Sequence, residues 1–157
     1  MIELGSGCNL KVLWPLRGGV GNARADLNSD SDSDSDSNFN SMVCMLTLRD
    51  RKSFGKGLFG SGEKKVLLMG DATKETEAAL LELYGEEVLG CDVLKLGHHG
   101  SAGSSSARFL KIASPKEAVV SCGAGNSYGH PSPAVVENLN NFGIIIRRTD
   151  TENAVVY

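Results

Sequence analysis

From residue 64 onward, short unbroken apolar runs alternate with longer stretches whose apolar positions recur at helical spacing. The runs KKVLLMGD (64–71), DVLKLG (92–97), EAVVSCG (117–123) and GIIIRRTD (143–150) read as strands buried between neighbours. Between them, KETEAALLELYG (74–85) reads as a helix with Ala78, Leu81, Leu83 and Tyr84 on its apolar side and Gly85 as its stop. SSSARFLKIASP (104–115) reads as a second helix, capped by serine, with Phe109, Leu110 and Ile112 facing inward and Pro115 ending it. PAVVENLNNFG (133–143) reads as a third, with Pro133 in its first turn and Gly143 beyond its end. NAVVY (153–157) is expected to return as a last strand through a DTEN hairpin. The alternation predicts an α/β fold with helices packed against a mixed sheet.

Before residue 64 the pattern changes. KVLWP (11–15) and SMVCMLTLR (41–49) read as strands without intervening helices, so they are expected to pair antiparallel. Two low-hydropathy segments interrupt them. NSDSDSDSDSN (28–38) alternates Ser and Asp, has no apolar residue to bury, and reads as a solvated, disordered loop. It lacks the central Gly and final Glu of a calcium loop. The Gly-rich segment 51–63 lacks the GK[ST] ending of a phosphate-binding loop.

Composition narrows the picture modestly. A chain of 157 residues with 41% hydrophobic content suits one domain. The net charge of −3 gives no overall basic surface for nucleic acid. The four cysteines form no CxxC pair, which argues against a cysteine-rich zinc site and for reduced thiols in a reducing compartment. No apolar run is long enough to span a membrane, and the first residues do not read as a signal peptide.

The chemistry concentrates at strand ends. Asp71 ends one strand, His98 and His99 end the next, and His130 follows the third within GNSYGHPSP. These are the only histidines in the chain. Spacings of 27 residues from Asp71 to His98 and 31 from His99 to His130 match one strand–helix unit each. Three successive strands would therefore deliver the four side chains to one edge of the sheet. Imidazole and carboxylate suit zinc, manganese or iron, and such an ion makes water nucleophilic near neutral pH. Each residue also has a plainer role: Asp71 as a helix cap, the histidines as turn residues, Ser101, Ser104, Ser105 and Ser106 as loop and cap residues. Asn126 and Tyr128 either contact substrate or shape their turn.

The ordered phrases LLMGDATKETEAALL, DVLKLGHHGSAGSSS, SPKEAVVSCGAGNSYGHPSPAVVENL and RRTD resemble the metallo-β-lactamase-like domain of bacterial competence DNA-uptake channel proteins, the ComEC family. The resemblance runs from about Lys64 to the C-terminus and extends weakly to KVLWP and NSMVCMLTL. It implies an αββα sandwich of which this chain supplies the C-terminal half. It implies catalytic roles for Asp71, His99 and His130, and a centre of one or two zinc or manganese ions held by Asp71, His98 or His99, and His130. Ser101, Asn126 and Tyr128 would border the substrate, a phosphodiester such as DNA. The chain departs from that pattern, because no histidine precedes His98 and the HxHxDH phrase of the superfamily is missing. It is accordingly expected to be a piece of a longer protein, a partner that completes another chain, or an inactive binding module. A half-sandwich would leave an apolar sheet face for a missing N-terminal half or a homodimer partner. A further reading has the GHHGS glycines hold an anion by backbone N–H groups without a metal.

Overall fold

A computed structural model of the chain describes residues 1–5, 7–15, 38–49 and 62–156. The Ser/Asp run 28–38, apart from Asn38, and residues 51–61 of the Gly-rich segment lie outside them. Seven strands form one sheet in sequence order: β1 (Ile2–Gly5), β2 (Cys8–Trp14), β3 (Val43–Arg49), β4 (Glu63–Leu68), β5 (Val93–Lys95), β6 (Glu117–Val120) and β7 (Ile145–Arg148). The first three pairings are antiparallel, as the absence of helices between them predicts, and the last three are parallel. Helices α1 (Lys74–Leu83) and α2 (Glu86–Leu89) link β4 to β5. Helix α3 (Ala107–Ala113) links β5 to β6, and α4 (Pro133–Asn141) links β6 to β7. Parallel strands laid side by side in chain order, joined by right-handed crossovers, put every crossover helix on the same face.

Register and burial agree with that one-sided arrangement. Met45, Leu67, Leu94, Ala118 and Ile146 form one cross-strand row. Met45, Leu67, Leu94 and Ala118 are buried and join Leu80, Leu89, Phe109, Leu110 and Leu139 of the helices in a single core. The rows of opposite parity point the other way: Leu10, Leu46, Val66, Val93, Glu117 and Ile145, then Val12, Cys44, Leu68, Lys95, Val119 and Arg147. Cys44 and Val93 in the sheet centre are covered, whereas Val12 is 38% and Ile145 56% exposed. Among the described residues, the expected apolar face is thus present and partly open.

Several local expectations change. The alternating Ile2 and Leu4 form an additional edge strand, β1, and β2 begins earlier, at Cys8. Ala78 is exposed, and the buried positions of α1 are Thr76, Glu77 and Leu80, because Glu77 turns inward to bond the α3 N-terminus. The final hairpin does not form. Residues Thr149–Glu152 make a helical turn, α5, and 153–156 pair with no strand. The side chains explain the turn: Glu152 accepts from Arg148 N at 2.9 Å, Asp150 grips the Arg148 guanidinium, and Thr149 Oγ1 donates to the Cys122 carbonyl at 2.8 Å. The four cysteines are free.

Candidate functional site

The parallel strands end at one edge, and the GHHG turn (Gly97–Gly100) stands there, after β5. His98 (φ 44°, ψ 43°) and His99 (φ 55°, ψ 22°) both adopt left-handed backbone, which is uncommon for residues with a Cβ and indicates a turn held by its surroundings. Four backbone bonds hold it. His98 N donates to Gly70 O at 3.0 Å, Ser101 N to His98 O at 2.9 Å, Leu96 N to Val119 O at 3.0 Å, and Ser132 N to Gly100 O at 2.8 Å. The flanking glycines allow close approach on both sides. A Cβ on Gly97 would lie 2.5 Å from the Ala72 carbonyl oxygen, and one on Gly100 (φ +80°) 2.8 Å from Pro131 Cβ. The β4–α1 turn, the histidine turn and the His130–Pro131 segment are therefore packed against one another.

This packing gathers the four predicted residues in two pairs. His99 Nδ1 lies 2.6 Å from the Ser121 carbonyl oxygen, and His99 Nε2 lies 3.5 Å from Asp71 Oδ1. A carbonyl only accepts, so Nδ1 carries the hydrogen, and in neutral His99 the Nε2 lone pair faces the carboxylate. Two acceptors face to face, each about half exposed, can share a cation. An imidazole whose second nitrogen is fixed by a backbone carbonyl is also the usual arrangement of a metal-ligating histidine. The second pair is His98 and His130, whose rings stand edge to face with centroids 5.8 Å apart. His130 Nδ1 is buried and has no hydrogen-bond partner among the described residues. Burial pushes the His130 pKa down, and the neighbouring His98 and His99 add to that. Among the described residues, no three His, Cys, Asp or Glu side chains converge closely enough to hold one ion. Asp71 and His99 are donor types that suit a divalent cation, and His98 and His130 form a second, neighbouring pair.

The remaining predicted residues serve the framework to different degrees. Asp71 does not cap α1, whose N-cap is Thr73. Asn126 is engaged by its own loop: Oδ1 accepts from His130 N at 2.9 Å, and Nδ2 donates to His130 O at 2.7 Å and Gly123 O at 3.0 Å. It fixes the His130 backbone. Ser101 Oγ accepts from Gly103 N at 3.2 Å, Ser104 Oγ donates to Gly97 O at 2.8 Å, and Ser106 Oγ caps α3 at Phe109 N. Tyr128 is 82% exposed and lies near-parallel to the His130 ring at 5.9 Å. Two residues near the site escaped the sequence reading. Lys95, on the open face of β5, is pushed to a lower pKa by burial while the Asp71 charge pulls it back up. Glu77 is 1% exposed and bonds the segment that follows the histidine turn. Glu77 shares its helix with Glu75 and Glu82, so nothing in the sequence marks it as the inward one.

Comparison with known proteins gives a family likeness for part of the chain. Residues 53–124 match the metallo-beta-lactamase superfamily. The chain is 36% identical over 97 residues to ComE operon protein 3 of Bacillus subtilis (strain 168), and 40% identical over 97 residues to competence protein ComA of Neisseria gonorrhoeae. It is 33% identical over 98 residues to recombination protein 2 of Haemophilus influenzae. Each similarity covers 62% of this chain but only 12–14% of the relative's length. With its one-sided sheet and its histidine turn at the strand ends, the chain matches the metallo-β-lactamase superfamily over residues 53–124 and is similar over about 97 residues to these ComEC-type competence proteins.

Proposed function

We propose that the chain contributes the Asp71–His99 end of a metal-dependent hydrolase centre acting on phosphodiesters, with DNA as the substrate class that the resemblance of its sequence phrases implies. The observation that carries the reading is the His99 ring, bound through Nδ1 to the Ser121 carbonyl and presenting Nε2 to Asp71 at 3.5 Å. A divalent cation, zinc or manganese, supplies Lewis acidity and makes water nucleophilic near pH 7. The chain's own residues do the rest. Asp71 and His99 would hold the ion, Ser121 fixes the His99 ring, and Asn126 fixes the backbone of His130, whose ring stands beside that of His98 as a further donor. Tyr128 offers an exposed ring to a substrate at the rim. Purified chain supplied with zinc or manganese is expected to bind the ion and to cleave an activated phosphodiester, and Asp71→Asn to lose both. Failure to retain either ion would overturn the proposal.

A second reading has its own observation. The described residues assemble two pairs of candidate donors and no group of three. On that reading the chain is a binding module, holding one ion loosely without turnover. Metal binding without phosphodiester cleavage, at every metal concentration tried, selects it.

A further inference from the structure

The buried carboxylate of Glu77 has no part in the centre described above, yet it is the only fully buried acidic side chain among the described residues. Its two oxygens accept from successive backbone amides, Ser105 N on Oε1 and Ser106 N on Oε2, the latter at 2.9 Å. Ser105 is itself in left-handed backbone (φ 55°), a conformation a side chain adopts at some cost unless its neighbours hold it there. The segment so clamped runs directly into the histidine turn. Ser104 Oγ donates to Gly97 O at 2.8 Å and Ser101 O at 3.0 Å, Ser101 N donates to His98 O, and Lys74 N donates to Gly103 O at 2.8 Å. One connected set of hydrogen bonds therefore links the α1 carboxylate to both ends of the GHHG turn. Burying a charge is unfavourable for stability, and a packed apolar side chain would serve the core as well. What an apolar side chain cannot do is accept two convergent N–H groups and hold that segment in one conformation.

We infer that Glu77 is a positioning residue for the candidate centre: through Ser104–Ser106 it sets the His98–His99 turn so that His99 meets both the Ser121 carbonyl and Asp71. The consequence for the ion rests on the proposed function, whereas the consequence for the His99 ring does not. Glutamine at position 77 keeps the volume but turns one acceptor into an NH2 donor facing a backbone N–H donor.

The test compares wild-type chain, Glu77→Gln and a destabilised control, Leu89→Ala, in the buried α2 position far from this hydrogen-bonded set in sequence. Nitrogen-15 NMR of the imidazoles reads the His99 tautomer, and calorimetry with zinc reads affinity. Glu77→Gln is expected to average the Nδ1–H tautomer of His99 and to weaken zinc binding by about 10–100-fold, as loss of an outer supporting bond does. Leu89→Ala is expected to lower the melting temperature and leave both readouts in place. An unchanged His99 tautomer in Glu77→Gln, or the same averaging in Leu89→Ala, would overturn the inference. If wild-type chain takes up no zinc, the proposed metal centre fails, and the tautomer comparison still decides the role of Glu77. Should the Gln variant not fold, Glu77→Asp, which keeps two acceptors on a shorter arm, is read the same way with the same expected direction.

Discussion

The conformations of single residues in the histidine turn set what the site can present. His98 and His99 sit in left-handed backbone between two glycines that admit no Cβ without displacing backbone or Pro131. Gly97→Ala puts a methyl 2.5 Å from the Ala72 carbonyl oxygen, so the turn or the β4–α1 connection has to move. We expect the chain to remain folded, the melting temperature to fall by several degrees, and His99 to lose its fixed ring position by NMR. Elsewhere, burial pushes the Cys91 thiol up to about 12, so almost no thiolate exists at pH 8. Iodoacetamide at that pH is expected to leave Cys91 unmodified in native chain and to label it in urea, which mass spectrometry of the tryptic peptides checks. The two adjacent histidines and their glycines were legible as an unusual pair. Which of them faces Asp71 was not, because both have left-handed backbone and only the Ser121 carbonyl, 22 residues away, singles out His99.

Helices and strands place those residues, and here local sequence signals were reliable where they were strong. A serine caps α3, at Ser106, and Pro133 starts α4, as the sequence pattern predicts, and Ser132 adds a hydroxyl cap to α4. Ser106→Ala is expected to cost about 1 kcal/mol in denaturant unfolding. The α1 pattern misleads because Glu77 belongs to the buried face, and a polar residue turned inward for a long-range bond has no signature in periodicity. Its protonation carries a sign that can be measured. Burial raises the Glu77 carboxyl above its ordinary range, against the two amide bonds and Lys74 that lower it. The folded state therefore holds that proton more tightly than the unfolded chain. The contribution is complete below the ordinary carboxyl pKa and is lost as pH rises through the raised folded value. Wild-type stability relative to Glu77→Gln is expected to decline as pH climbs from about 4 through that window, measured by urea titration at several pH values. The C-terminal turn misled for a related reason: Thr149, Asp150 and Glu152 bond inward and across to Cys122, so DTEN closes a helical turn instead of a hairpin.

At the scale of the molecule, a sheet covered by helices on one side leaves apolar rows on the other. Leu10, Leu46, Val66 and Ile145 in one row and Val12, Leu68 and Val119 in the next share that side. The chain is expected to bind an environment-sensitive apolar dye in its native state, and Val12→Lys with Ile145→Lys to reduce that binding sharply without altering the circular dichroism of the fold. The strand–helix alternation made the fold class and the single edge of strand ends legible. The closure of that edge into pairs was not, because it depends on turn geometry and on contacts between segments 20 to 30 residues apart.

The direct test of the account is the zinc affinity of the chain, measured by calorimetry near neutral pH alongside Asp71→Asn and His99→Ala. The account predicts saturable binding by the wild-type chain and a loss of more than about tenfold in each variant, since a metal-ligating side chain counts for at least as much as its outer support. Wild-type binding that neither substitution weakens, or no binding at all, would contradict it.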